Sequence, residues 1–143
     1  MPWITPVTDR TVADVNYAAA NPGNAAPNKG VLNFPDLNRI EIDCKYIADQ
    51  LNAYGYDLNI TVKTDWAITD FPTLAHINRI RGNVDVLLDA LYRSPDSPAI
   101  RYWNSLDWTD ANALEQNLLN LYNLLQRMAS VFLRCGDAHG GDR

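Results

Sequence analysis

The sequence predicts a mainly α domain: a three-helix bundle of long, repeat-related helices with a short N-terminal helix. Two observations favour this fold. Apolar residues recur at alternating steps of three and four along three long segments, and the three segments share one residue pattern. The chain has 143 residues, the length of one ordinary domain. We therefore expect a single helical domain over residues 1–135 and a disordered C-terminal tail over residues 136–143.

The first part of the chain combines a short helix and a loop. Thr8 or Asp9 is a suitable N-cap for a helix that ends near Ala20. The following residues, 21–30, hold two prolines, two glycines and three asparagines, a composition that interrupts regular structure. We expect a flexible loop there.

Three long helices follow, over residues 36–54, 73–93 and 110 to about 134. Residues that stop helices lie at their ends: Gly55 after the first, Pro95 just beyond the second, and Gly136 after the third. Thr109 is the expected N-cap of the third helix.

The connection between the first two long helices leaves open a minimal two-stranded β patch. Leu58, Ile60 and Val62 alternate with polar residues, which is the period of a strand. Its only available partner is the segment 99–103 in the next connection. An isolated pair of this size is marginal, and an extended connector is the alternative.

An internal repeat relates the three long helices. Each contains an asparagine followed five residues later by Asp or Asn. When the asparagines are aligned, fifteen apolar positions, here called the seam, form five layers. The layers are Leu37/Ile77/Ala111, Ile40/Ile80/Leu114, Cys44/Val84/Leu118, Ile47/Leu87/Leu121 and Leu51/Leu91/Leu125. The connections leave open both a bundle within one chain and a coiled coil between chains, and we favour the bundle.

The paired polar residues of the repeat flank the seam. They are Asn38, Asn78 and Asn112, with Asp43, Asn83 and Asn117 five residues later. We predict that their side chains bond to the backbone of the irregular connectors and brace each connector against a helix. Simple solvation of these polar groups is the alternative.

Aromatic and surplus apolar residues outside the seam are candidates for an interaction surface. They are Trp3, Trp66, Trp103 and Trp108, together with Leu119 and Tyr122 on the third long helix. The tryptophans either plug the ends of the bundle or remain exposed and stack against sugars or protein partners. The apolar residues of the third helix are either covered within the chain or form a subunit contact.

The composition excludes several classes of function. The net charge of −5 argues against binding to nucleic acid, and no apolar run is long enough to cross a membrane. No catalytic motif is present, so we expect no catalytic residues, no cofactor and no metal. His76 and His139 stand alone, Cys44 is a seam residue, and Cys135 has no nearby base. We assign capping and helix-dipole roles to the acidic clusters, which are Asp36, Glu41 and Asp43, and Asp107 with Asp110.

Several short motifs resemble small helical modules of bacteriophage and prophage structural proteins. They are WITPVTDRT at residues 3–11, KTDW at 63–66, LNRIE at 37–41 and INRI at 77–80. Such modules occur in tail, baseplate and fibre proteins of phages that infect Gram-positive bacteria. The motif is altered in two places, because Arg81 replaces its glutamate in the second copy and Ala113-Leu114 replace Arg-Ile in the third.

The resemblance implies a virion component without enzymatic activity, made in the cytoplasm of the host bacterium. Such a protein would act through assembly with copies of itself or with other virion proteins. The alternative is a carbohydrate-binding module of a host-recognition apparatus, which would bind cell-surface polysaccharide through the loop tryptophans.

Overall fold

The chain is mainly helical, as predicted. The computed structural model describes residues 2–20 and 33–141, with side chains as far as residue 131. It contains the helices α1 (Val12–Ala20), α2 (Phe34–Ala53), α3 (Leu74–Ala90) and α4 (Trp108–Gly141). The expected flexible loop at residues 21–30 lies outside the described residues.

Short polar side chains determine where the helices begin. The carboxylate of Asp36 accepts the Asn33 N–H at 3.1 Å before α2. At α3, Thr73 Oγ1 accepts the His76 N–H at 3.3 Å, and His76 Nδ1 accepts the Thr73 N–H at 3.1 Å. His76 therefore completes a capping box in place of the usual Glu or Gln. Gly55 follows the end of α2 with φ 101°, as the sequence predicts.

Two predicted N-caps are wrong. α1 is capped by Thr11, whose Oγ1 accepts the Asp14 N–H at 3.3 Å, because the residues just before it are held by α4. α4 begins with Trp108, ahead of the predicted cap Thr109. Its cap is Asp107, whose Oδ1 accepts the Asp110 N–H at 2.9 Å.

The predicted stop of the last helix at Gly136 is also wrong. α4 continues to Gly141, through most of the segment that we expected to be a disordered tail. A glycine inside a helix costs only about 1 kcal/mol relative to alanine. Gly136 is followed by no proline, so nothing in the covalent chain prevents helical hydrogen bonding from continuing.

The seam lies in the core of the molecule. Thirteen of its fifteen residues are buried, and the other two, Ile77 and Leu91, are half-buried. α2 contacts both α3 and α4, and α3 contacts α4. The three long helices therefore bury their apolar faces against one another, which is the main source of favourable free energy for a small domain.

The connector after α2 runs back along α2 to its beginning. Its Leu58 bonds to Asn52, its Lys63 to Glu41, and its Trp66 to Asn38. The connector after α3 likewise returns to Arg81, which bonds to the carbonyl oxygen of Trp103 at 2.9 Å. The long helices consequently begin at the same end of the molecule, here called the N-terminal end.

The structure has no strand within residues 2–20 and 33–141, so the two-stranded patch is not found there. Helix side chains take the backbone groups that a partner strand would need. Asn52 binds both the N–H and the carbonyl oxygen of Leu58, and Arg79 and Asn83 donate to the Thr61 carbonyl oxygen. The segment is the extended connector that we gave as the alternative.

Candidate functional site

Three extended segments lie beside the long helices and carry most of the polar contacts. They are the N-terminal residues 2–11, the connector 54–73 and the connector 91–107. Each lies in a groove between two long helices, and we call these the α4/α2, α2/α3 and α3/α4 grooves, in that order. The six residues predicted to brace connectors point into these grooves or beside them.

Asn38 and Asn112 each bind both backbone polar groups of one residue. Asn38 Oδ1 accepts the Trp66 N–H at 2.7 Å, and its Nδ2 donates to the Trp66 carbonyl oxygen at 3.0 Å. Asn112 makes the matching pair with Arg10, at 3.1 Å and 2.9 Å. The repeated asparagine therefore performs the same task on two helices.

The residue five places later reaches the segment from the other wall of the groove. Asp43 Oδ1 accepts the Ile4 N–H at 2.9 Å. Asn83 Nδ2 donates to the Thr61 carbonyl oxygen at 2.7 Å, and Asn117 Nδ2 to the Pro98 carbonyl oxygen at 2.9 Å. These contacts connect each extended segment to a second long helix.

Asn78 does not contact connector backbone through any hydrogen bond that the structure shows. Its Oδ1 accepts from Arg81 Nη1 at 3.0 Å. Arg81 in turn donates to the carbonyl oxygens of Trp103, at 2.9 Å, and Ser105. Asn78 therefore orients the side chain that binds the third segment.

Two buried glutamates complete the anchoring, and we did not predict this role. Glu115 accepts the Val7 N–H at 3.2 Å, Arg10 Nη2 at 2.7 Å and Arg39 Nε at 2.5 Å. The side chain of Glu115 is fully buried. A buried carboxylate is tolerated when such donors compensate for its lost hydration.

Glu41 occupies the matching position on α2. It accepts the Lys63 N–H at 2.9 Å, Arg79 Nη1 at 2.5 Å and the indole N–H of Trp66. The assignment of Glu41 and Asp43 to capping is therefore wrong, because both bind an extended segment beside the middle of a helix. The signal that could have revealed Glu41 and Glu115 is their shared place three residues after the repeated asparagine.

The third groove differs from the other two in charge. Arg81 occupies the glutamate position, and Ala113 occupies the position where α2 and α3 carry an arginine. In the other two grooves the arginine of one helix pairs with the glutamate of the next. With Arg81 at the glutamate position, an arginine at position 113 would face another positive charge across the α3/α4 groove, and alanine at that position avoids this repulsion. Arg81 is 1% exposed and lies 3.7 Å from Asp110, so its charge is balanced locally.

The four tryptophans do not form one surface. Trp66 is buried, with its indole N–H on Glu41. Trp3 stacks on Tyr122, with ring centroids 4.2 Å apart. Trp103 is partly exposed, but its Nε1 donates to Asp110 at 2.7 Å. Trp108 and Leu119 are half-buried.

Exposed apolar side chains gather at the N-terminal end of the long helices, in a feature that sequence reasoning missed. They are Phe34, Ile68, Phe71 and Leu74, here called the end face. Ile68 is 80% exposed and Phe71 is 84% exposed, the highest values among the exposed large hydrophobic residues of the described chain. Leu37 and Pro72 line shallow cavities beneath them.

The end face arises where the repeats differ in length. The same aspartate turn occurs three times, because Asp14, Asp70 and Asp110 accept the N–H three residues earlier. Between this aspartate and the first seam residue lie residues 15–36 in the first copy, 71–76 in the second and none in the third. Phe71 and Leu74 belong to the second of these insertions.

Burial raises the pKa of Asp43 to about 7. The Ile4 N–H opposes this rise, the nearby Glu115 charge adds to it, and Arg39 lowers it. Asp43 Oδ2 is buried and accepts no hydrogen bond from the described residues. One carboxylate oxygen thus binds the N-terminal segment, and the other lies buried without a hydrogen-bond donor among the described residues.

The described residues contain no group of His, Cys, Asp and Glu side chains that could hold a metal ion. Cys44 is buried in the seam, and burial raises the pKa of its thiol above the ordinary value. The side chains of Cys135 and His139 lie outside the described residues. No helix in the described part of the chain is long and apolar enough to cross a membrane.

No protein-family model matches this chain, and neither a curated protein nor a solved structure is significantly similar to it.

Proposed function

We propose that this protein is a non-enzymatic structural component of a phage or prophage particle of the tail or baseplate type, located in the virion. Its work is protein–protein assembly. The scaffold is a parallel three-helix bundle of three repeats, with the extended segments laid in its grooves. The observation that carries the proposal is the end face, where Ile68 and Phe71, the two most exposed large hydrophobic side chains of the described residues, line the same cavity.

The position of the end face supports a binding role. In repeat proteins, insertions into individual repeats commonly lie on one face, which is often the binding face. Here the insertions in the first two copies enter at the same point of the repeat, after the aspartate turn. Apolar side chains that are clustered and exposed mark interaction sites more often than single exposed residues do.

The partner that we propose for the end face is another copy of this chain. α4 continues for 16 residues beyond the last seam layer at Leu125, which corresponds to about 24 Å of helix. Val131, on this extension, is 52% exposed. Because the long helices begin at the same end, the extension and the end face lie at opposite ends of the molecule. Contact between them would be head-to-tail and would leave each end copy able to bind another.

Sedimentation velocity over a range of concentrations tests this proposal. We expect the mass of the wild-type protein to increase with concentration, and we expect Phe71→Asp and Val131→Asp each to remain monomeric. A mixture of the two variants should form dimers and nothing larger, because one intact end of each variant can pair. Val86→Asp, which changes an exposed valine on the side of α3, is the matched control and should assemble like wild type.

A wild-type protein that stays monomeric at all concentrations would contradict self-assembly. A mixture that stays monomeric would contradict the head-to-tail contact. The phage setting is tested separately by the neighbouring genes, which we expect to encode tail or baseplate proteins.

Sugar binding through the tryptophans is not favoured by any observation. Trp66 is buried, Trp3 is covered by Tyr122, and Trp103 is held by Asp110.

A further inference from the structure

We propose that the α3/α4 groove contains a binding site for an uncharged saccharide. The site is a cavity of about 620 Å³ between α4 and the start of the connector that follows α3. It is separate from the end face, and Arg127 is the one residue of its lining that lies on the extension of α4 proposed above to take part in assembly.

A comparison of the three grooves shows why this cavity exists. In the α4/α2 groove, Tyr46 lies three residues after the bracing Asp43, and it packs against the ring of Trp3 at 5.7 Å. In the α3/α4 groove, the residue three places after the bracing Asn117 is Asn120, and it lines the cavity. An aromatic contact in one groove is therefore replaced by a polar wall in the other.

The connectors differ in the same way. In the α2/α3 groove, Leu58 packs against the core and is clamped by two hydrogen bonds to Asn52. The connector in the α3/α4 groove also packs an aliphatic residue, Ile100, against the core, but at its start it presents Asp96 and Ser97 to the cavity. These short polar side chains leave the groove unfilled at this level.

The chemistry of the wall fits a neutral polyhydroxylated ligand. The polar residues that line the cavity are Asn120, Asn123, Asp96 and Arg127, together with the exposed Tyr92. Asn120 Oδ1 already accepts a hydrogen bond from Gln116 at 2.9 Å, so Asn120 offers its Nδ2 as a donor. Amides, carboxylates and guanidinium groups offer the paired donors and acceptors that adjacent hydroxyl groups can match. An aromatic ring offers an apolar surface for the C–H face of a sugar.

Charge and size narrow the ligand class further. One acidic and one basic side chain give the wall no net charge. An anionic ligand would be attracted by Arg127 and repelled by Asp96, so the wall does not favour a charged ligand. A wholly apolar ligand would leave the amide groups without partners. Leu121 and Leu124 provide an apolar floor, and the volume lies within the range of about 300–1,000 Å³ that is usual for small-ligand sites.

The test is a titration of the whole protein by two-dimensional amide NMR. The probes are glucose, N-acetylglucosamine, cellobiose and chitobiose. Each is added up to about 10 mM, which is about ten times the Kd of a site that binds in the millimolar range. We expect at least one probe to shift the amide signals of residues 92–97 and 120–127 selectively. Tyr92→Ala and Asn123→Leu should each weaken that binding at least tenfold.

Tyr56→Ala is the matched control, because Tyr56 is an exposed tyrosine on the connector of another groove. It should bind like wild type. Absence of selective shifts with all four probes would overturn the proposal. Shifts centred on Trp3 or Trp103, or binding that survives both cavity substitutions, would overturn it as well. Sedimentation of the same samples reports on assembly independently.

Discussion

The α4/α2 groove and the α3/α4 groove hold their extended segments with opposite chemistry. In the first, the buried Glu115 accepts a backbone N–H and two arginine side chains. In the second, the buried Arg81 donates to two backbone carbonyl oxygens. The same position of the repeat can therefore carry either charge, provided that the backbone presents the complementary group and the neighbouring helix changes with it.

The strongest test of the glutamate-anchored groove is removal of its carboxylate. Glu115→Ala would leave Arg10 and Arg39 with Asp36 as the carboxylate that they still share, at 3.5 Å and 2.7 Å, and Arg10 is 3% exposed. We expect a loss of about 3–5 kcal/mol in the free energy of unfolding, measured by urea denaturation. Asp49→Ala is the control, because its pair with Lys45 is exposed and should contribute less than about 0.5 kcal/mol. Equal effects of the two substitutions would show that Glu115 is not an anchor.

Reversal of the charge in the other groove sharpens the comparison. Arg81→Glu restores the repeat motif but places a carboxylate against the carbonyl oxygens of Trp103 and Ser105. We expect a loss of about 3 kcal/mol or more. Adding Ala113→Arg should recover part of this loss, on the order of 1 kcal/mol, because it restores the arginine that pairs with glutamate elsewhere. A double variant no more stable than Arg81→Glu would mean that the helices are not equivalent at this position.

Asp43 offers a test by pH. Its pKa of about 7 in the folded protein lies above the ordinary value of 3.8, so the folded state binds this proton more tightly than the unfolded state. This contribution to stability is complete below about pH 4 and is lost as pH rises through about 7. Asp43→Asn removes the titration and introduces the amide found at Asn83 and Asn117.

We therefore expect Asp43→Asn to be more stable than wild type at pH 8, by about 1–3 kcal/mol. The difference should shrink at pH 5, when both are measured by chemical denaturation at matched ionic strength. A difference that does not change between the two pH values would contradict the raised pKa.

The smallest expected losses of stability distinguish two of the bracing asparagines, Asn38 and Asn78. Asn38→Ala removes two hydrogen bonds, to the backbone N–H and the carbonyl oxygen of Trp66, and should cost about 1–3 kcal/mol. Asn78→Ala removes only a contact to Arg81 and should cost less than about 1 kcal/mol. Thermal denaturation measures both losses of stability. Asn59→Ala is the control, because the Asn59 side chain is exposed. If Asn38→Ala leaves the melting temperature unchanged, its side chain does not brace the connector.

The helices and their seam could be predicted because burial in a helix pair requires apolar residues at a fixed spacing, which the chain carries on all three long segments. The polar residues beside the seam could be identified as well, since their recurrence is visible in the sequence. Their binding to the backbone of the extended segments could be predicted too, but the segment that each one reaches could not, because the path of the connectors depends on tertiary packing. Glu41 and Glu115 were missed for that reason.

The end face and the cavity in the α3/α4 groove could not be predicted, because each depends on which side chains remain uncovered after the helices pack. Three of the four end-face residues, Phe34, Phe71 and Leu74, belong to the insertions between the aspartate turn and the seam, and the exposure of the end face becomes visible only once the helices are placed. The cavity in the α3/α4 groove depends on a comparison of side-chain sizes across three grooves, as at Tyr46 and Asn120. No local pattern in the sequence reports either property.

The central structural claim is that helix side chains hold the extended segments, and amide hydrogen exchange tests it most directly. The N–H groups of Ile4, Val7, Arg10, Lys63 and Trp66 donate to side chains of α2 or α4. We predict that they exchange much more slowly than unstructured amides, although they lie outside every helix and strand. The amides of Trp103 and Ser105 should exchange faster, because Arg81 binds their carbonyl oxygens instead. Exchange of all these amides at the rate of an unstructured chain would contradict the account.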